Sequence, residues 1–315
     1  MFEIKKEAFG KCTRLKLINV TTGEYVSVIP EFGTNVNELV LGKKGNNYSI
    51  IAGDAVYEDF IKNAWHKGSK LIPYPNRIND GTYFFDCCRY RLPINFVEQN
   101  HAIHGLIYDK KFNLVGQHKD ETSIAVDLEY KYAQDVPGFP FFFSVLIHYA
   151  LSERGVLCKT RITNNGSERM PAGDGWHPYF KTNGIIDDLW LQLPSQELLE
   201  VNDRMIPTGR ITQFDKYVNL TPIGSQKFDS CFALPQIESR AGTQLHDPKQ
   251  SLRIFLWQET GEMKYNYLQV YIPPARDSIA LEPMTCPADA FNSGKGLIVL
   301  EPGQDFHASY GVSIE

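Results

Sequence analysis

An all-β fold, a large antiparallel β-sandwich, is predicted by three observations. Apolar residues recur with period two in one run after another. Those runs are separated by Gly, Pro, Asn and Asp clusters rather than by amphipathic helices. Aromatic residues make up 12% of the chain, with 19 Phe and 16 Tyr, which suits broad pleated surfaces.

The runs follow one another along the whole length. "YVSVI" ends at Ile29. "SIAVDLEYKY" carries the clearest alternation, with Ile124, Val126, Leu128, Tyr130 and Tyr132 set against Ala125, Asp127, Glu129 and Lys131, as expected of a half-buried strand. "FFFSVLIHYAL", "GVLCKTRITN", "SLRIFLWQ", "YLQVYI" and "GLIVLEPG" repeat the pattern. Strands that succeed one another through turns build antiparallel sheets packed face to face, because parallel pairing requires long crossovers. No repeat and no low-complexity linker divides the chain, so one domain over residues 1–315 is expected. The polar or Pro-rich connections "KLIPYPNRINDG", "FVEQNHAIHGLIYD" and "RMPAGDGWHP" are the places where such a scaffold carries working residues.

Composition narrows the functional class. With 315 residues, 43% hydrophobic and 22% charged, the chain can bury a substantial core. A net charge of -5 without a run of Lys or Arg argues against nucleic acid and for a small neutral ligand. No signal-peptide-like or bilayer-length apolar segment stands out, so a cytoplasmic protein with no membrane partner is expected. The six cysteines lack C-x-x-C spacing and are expected to be reduced. Vicinal Cys87 and Cys88 should point to opposite faces of a strand, one thiol buried and one exposed.

Among the eight histidines, His66, His118, His246 and His307 read as ordinary surface residues, and His148 as a hydrogen-bonded residue within a strand. His101 and His104 in "NHAIHGL" are three apart and could form a metal set with His177, but no further ligand motif accompanies them. In "GDGWHPYFK", Pro178 disfavours helical backbone at His177 and holds the imidazole in an extended segment, where it can be aimed. Trp176 beside it could stack on a ligand or pack in the core. Glu282 in "IALEPMTCPADAFN" ends an apolar run, where partial burial raises a carboxyl's affinity for a proton; it is a candidate general base or an exposed strand-end acid.

Taken in order, "NRINDGTYFFDCCRYRLPIN", "IHGLIYD", "GWHPYF", "MIPTGRI", "FDSCFAL", "LQVYIP" and "LEPMTCPADAFN" resemble the aldose 1-epimerase (galactose mutarotase) family from about Asn76 to Asn292, and "IVLEPGQDF" resembles its final strand. The resemblance implies a galactose mutarotase-like sandwich with an open sugar groove and no cofactor or metal. It implies His177 as the general acid that protonates the ring oxygen and Glu282 as the base that takes the anomeric proton. Arg77, His104, Asp229, Gln269 and, more weakly, Asn76 would contact the monosaccharide. "WHPYF", "HGL" and "LEPM" depart from the "HGG" and "LETQ" versions, which bears on the sugar rather than on the reaction. Three alternatives stay open: a glycoside hydrolase using Asp229 and Glu282, a sugar-binding module without catalysis, and a hexose-phosphate epimerase using Arg77, Arg89 and Arg91.

Overall fold

The computed structural model describes residues 1–315 and is built almost wholly of antiparallel strands. Helix is confined to single turns such as Tyr57–Phe60 and Ala290–Ser293. Residues 2–49 form a five-stranded meander. A nine-stranded wide sheet runs in the order Asn113–Lys119, Ser123–Ala133, Phe142–Ser152, Gly155–Asn164, Asp305–Ile314, Leu252–Thr260, Ser239–Asp247, Trp190–Gln192, Thr221–Pro222. A six-stranded groove sheet runs Tyr179–Phe180, Ile279–Met284, Tyr267–Tyr271, Asp229–Ala233, Glu197–Val201, Pro207–Gln213.

Period two decides which face is buried. On Phe142–Ser152, Phe143, Val145, Ile147, Tyr149 and Leu151 are all at most 1% exposed, whereas the residues between them stay partly open. Each such buried side chain contributes about 1.5–3 kcal/mol of transfer free energy. The hairpin after it closes in two residues, Glu153 and Arg154, and Gly155 at φ 98° supplies backbone that L side chains rarely adopt. Inward residues of the meander, the wide sheet and the groove sheet merge in one apolar core of 63 residues.

One expectation is corrected and one open alternative is decided. Cys87 and Cys88 are both exposed, because Asp86 and Cys87 form the turn of the hairpin whose strands are Thr82–Phe85 and Cys88–Arg91; Cys87 has positive φ and so is not a strand residue. Trp176 is 2% exposed and stacks on Tyr310 at 4.9 Å between ring centroids, so it packs within the protein. The six cysteines are all free. No helix is long and apolar enough to cross a membrane.

Beneath the groove sheet lies a fully buried ion pair. Lys70 Nζ is 2.8 Å from Asp174 Oδ2 and 3.1 Å from Thr160 Oγ1, and the Tyr265 hydroxyl donates to the same carboxylate at 2.6 Å. Asp174 also binds Thr285 through both its backbone N–H and its carbonyl. This network ties the segments 68–71, 173–177 and 282–285 into one frame.

Candidate active site

The register of the groove sheet builds a row of polar side chains. Tyr179 lies opposite Ala280 and Gly175 opposite Met284, which places His177 across from Glu282. Gln269 is the partner of Glu282 on the other side, and Asp229 reaches Gln269 diagonally from the next strand. His177 Nε2 stands 3.4 Å from Glu282 Oε1, and the Gln269 amide donates to Asp229 Oδ1 at 2.7 Å. The backbone of His177 is held on its outer side by Ser69 O and Gly68 N–H.

Loops from the other side of the groove complete the site. The short strands Arg77–Asn79 and His101–Ile103 pair, and just outside them the His104 N–H donates to Asn76 O at 2.9 Å. Asn76 and His104 both adopt left-handed backbone, at φ 57° and 63°. Gly105 after them has to be glycine: at φ 79°, a Cβ there would lie 2.2 Å from Ile72 O. Asn76 Oδ1 accepts from the Arg77 N–H and from Arg77 Nη1, each at 2.9 Å, while Arg77 Nε donates to Gln99. The guanidinium is thereby aimed into the groove.

All seven residues implied by the sequence, Asn76, Arg77, His104, His177, Asp229, Gln269 and Glu282, line one groove of about 790 Å³. His101 does not belong to it. Its Nδ1 accepts from the Asp80 N–H and its Nε2 faces Arg204 O, so it holds the loop and does not join His104 and His177 around a metal. Arg89 and Arg91 are exposed on the hairpin outside the groove.

Four further residues, Trp65, His66, Tyr179 and Tyr271, line the groove. His66 is not the ordinary surface residue expected: it packs against His104 at 4.6 Å between ring centroids and accepts from the Asn63 amide through Nδ1. Tyr179 stacks on His177 at 5.0 Å, and Trp65 on Tyr271 at 6.4 Å, making an aromatic wall on one flank. Tyr179 and Tyr271 each lie two residues beyond a predicted site residue, on the same strand face, so the period-two rule could have found them. Trp65 and His66 lie in an irregular loop and carry no such signal.

The electrostatics follow from burial. Glu282 is 2% exposed, and desolvation, then the nearby Asp229, push its carboxyl well above the ordinary range against the opposing pull of Arg77. Burial likewise lowers His177 to about 3 and His66 to about 4. Desolvation also raises Asp229, which is open to the groove mouth, against the lowering effects of Arg77 and Gln269. Glu282 Oε2, His177 Nδ1 and His104 Nδ1 are buried without a hydrogen-bond partner in the protein. Buried polar atoms normally have partners, so these three keep hydrogen-bonding capacity that the protein itself does not use. An adjacent imidazole and carboxyl can give and take protons on one small molecule, with Arg77 beside them to balance developing negative charge.

Known proteins resemble this chain in sequence and in fold. The sequence profile of the family described as aldose 1-epimerase matches residues 16–313. The uncharacterized protein YihR of Escherichia coli K12 is 30% identical over 254 residues, covering 78% of this chain and 79% of its own. An aldose 1-epimerase of Streptococcus thermophilus is 24% identical over 98% of this chain and 96% of its own. In structure, a galactose mutarotase-like protein from Clostridium acetobutylicum superposes with a TM-score of 0.88 at 22% identity, covering 100% of this chain and 98% of the other. A galactose 1-epimerase from Lactobacillus acidophilus NCFM does so with a TM-score of 0.82 at 18% identity and the same coverage. Such a match along nearly the whole sequence, on a galactose mutarotase-like sandwich, shows that the chain belongs to the aldose 1-epimerase family.

Proposed function

We propose that the protein interconverts the α and β anomers of a free, unphosphorylated aldose without a cofactor, using Glu282 as the base and His177 as the acid. The observation that carries this reading is the His177–Glu282 pair, 3.4 Å apart in the groove beside Arg77 and the Asp229–Gln269 pair. Burial disfavours charge on either member taken alone, so the two share one proton. Of the two, the raised carboxyl and not the lowered imidazole carries that proton at rest. Its transfer to His177 leaves the pair's net charge unchanged, and Arg77 favours the ionised carboxylate.

The bound sugar is then opened in one balanced step. Glu282 removes the proton from the anomeric hydroxyl, the freed O–H electron pair forms the C1=O bond, and the C1–O5 bond breaks. O5 keeps that bonding pair and takes the proton from His177. Rotation about C1–C2 presents the other face of the aldehyde, and ring closure reverses both transfers. Opening leaves a neutral imidazole and a protonated carboxyl, the same form that burial favours. Arg77 and His104 stand where negative charge on oxygen would be stabilised, and Asp229 and Gln269 hold hydroxyls in register.

The cations of the groove lining are few. Arg77 faces Asp229 and Glu282, and Lys62 is paired with Asp59, while Glu98 and Asp109 add negative charge. That balance disfavours a phosphate. Anomer exchange followed by NMR on a panel of free aldoses tests the reading. Acceleration by the wild type that is lost in Glu282→Gln is expected, and no acceleration with any aldose would overturn it in favour of a sugar-binding module.

A further inference from the structure

We propose that the outer face of the wide sheet carries a divalent transition-metal site formed by His118, Asp127 and His148, separate from the groove. These residues stand on three adjacent strands at one edge of that sheet. Asp127 and His148 are direct cross-strand partners, and His118 pairs with Ala125, which makes it the diagonal neighbour of Asp127. Their neighbours Val126, Leu128, Ile147 and Tyr149 point into the core, so the three face outward together. None of them lines the sugar groove.

The ligand atoms converge. His118 Nε2 lies 2.6 Å from Asp127 Oδ2, and His148 Nδ1 lies 2.7 Å from Asp127 Oδ1. One nitrogen from each imidazole and a carboxylate oxygen all fall within 4.8 Å of one another. Small side-chain rotations bring such a set to the roughly 2.0–2.2 Å distances of a bound zinc ion. Side-chain exposures of 59%, 20% and 29% leave room for water to complete the coordination.

The backbone makes space for this approach. The strand carrying His118 shifts register between Leu114 and Gly116, and Gly116 lies across from Asp127. A Cβ at Gly116 would sit 2.7 Å from Asp127 Oδ2 and 3.1 Å from His118 Nε2, within the volume where the ligand atoms meet. Its φ is not in the left-handed region, so room and not backbone freedom is what the glycine supplies. Two imidazoles and one carboxylate select zinc, copper(II) or nickel over magnesium or calcium. Lys159, across the sheet from His148, and Arg161, two residues on along the same strand face, are the nearest cations in register and moderate its affinity.

Calorimetric titration of the chelator-stripped protein with Zn2+, and Co2+ absorption as a signature of the ligand field, test the proposal. One ion per chain is expected, with Mg2+ giving no heat. His148→Ala and Asp127→Asn should each weaken binding by at least about tenfold. Gly116→Val, which removes no ligand, should weaken it as well. Anomer exchange by His148→Ala should match the wild type, showing that the variant is folded. Absence of Zn2+ binding, or binding that survives His148→Ala, would overturn the site.

Discussion

Replacing Glu282 by Gln should separate catalysis from stability, because one physical fact governs both. Glu282 is fully enclosed, its Oε2 has no protein partner, and its carboxyl is raised well above 4.5 by burial. The folded state therefore holds its proton more tightly than the unfolded chain does. Below about pH 4.5 both states are protonated and the group is neutral in its effect; as pH rises past that value the unfolded chain ionises first, so the wild type loses stability. Gln cannot ionise and escapes the loss. Each pH unit over which only the unfolded chain is ionised costs the wild type about 1.4 kcal/mol. Spread over 315 residues at about 2.1 cal/mol/K each, this corresponds to a Tm advantage for the variant of about 2 °C for each such unit between pH 4.5 and pH 7.5, vanishing at pH 4.5. Anomer exchange should fall by about 10²–10⁴-fold, the usual contribution of a positioned general base. Calorimetry at the two pH values and NMR exchange on the same samples make the measurement. A Tm difference independent of pH would refute the burial argument, and a rate loss below tenfold would refute the role as base.

The remaining expectations concern the groove and its support. His177→Asn should lower kcat by about 10²-fold or more with little change in KM; equal loss in both would make His177 a binding residue only. Asp229→Ala leaves the Gln269 amide without its acceptor and should cost about 1–3 kcal/mol, or about 5–150-fold in kcat/KM, with KM raised; an unchanged KM would remove Asp229 from substrate positioning. With His177 down at about 3 and Glu282 raised, the pair holds one proton over the range between. On that account kcat/KM stays level across mildly acidic pH and falls as the carboxyl proton is lost at higher pH, whereas a rate that climbs with pH between 5 and 8 would refute the shared proton. Lys70→Met strands the Asp174 carboxylate in the core and should cost about 3–5 kcal/mol, a Tm about 5–8 °C lower by the same per-residue entropy. Lys70→Met with Asp174→Leu should recover most of that loss, and a single variant within about 2 °C of wild type by calorimetry would refute the importance of the pair.

What could be read before folding is what is written locally. Strand character is such a property: alternation at Ile124, Val126 and Leu128 marks a buried face whatever the strand pairs with, and the structure buries all three. The ordered motifs around His177 and Glu282 are likewise contiguous stretches, so the family and the seven groove residues were legible. Local reasoning failed where a short stretch had two readings. Cys88 is a strand residue as expected, but Cys87 lies in the turn and both thiols are exposed, because "FDCCRY" does not mark locally which residues the hairpin turns on.

The chain by itself thus determined the all-β class, the strand runs and the family, because side-chain period and motif order are properties of neighbouring residues. Tertiary structure alone decided that Trp65 and His66 enter the groove and that His101 leaves it. It also decided that Lys70 meets Asp174 across 104 residues and that His118, Asp127 and His148 share one face. Each of these depends on strand order and register. Those are set by which buried faces pack together, an outcome of the whole core that no single segment encodes.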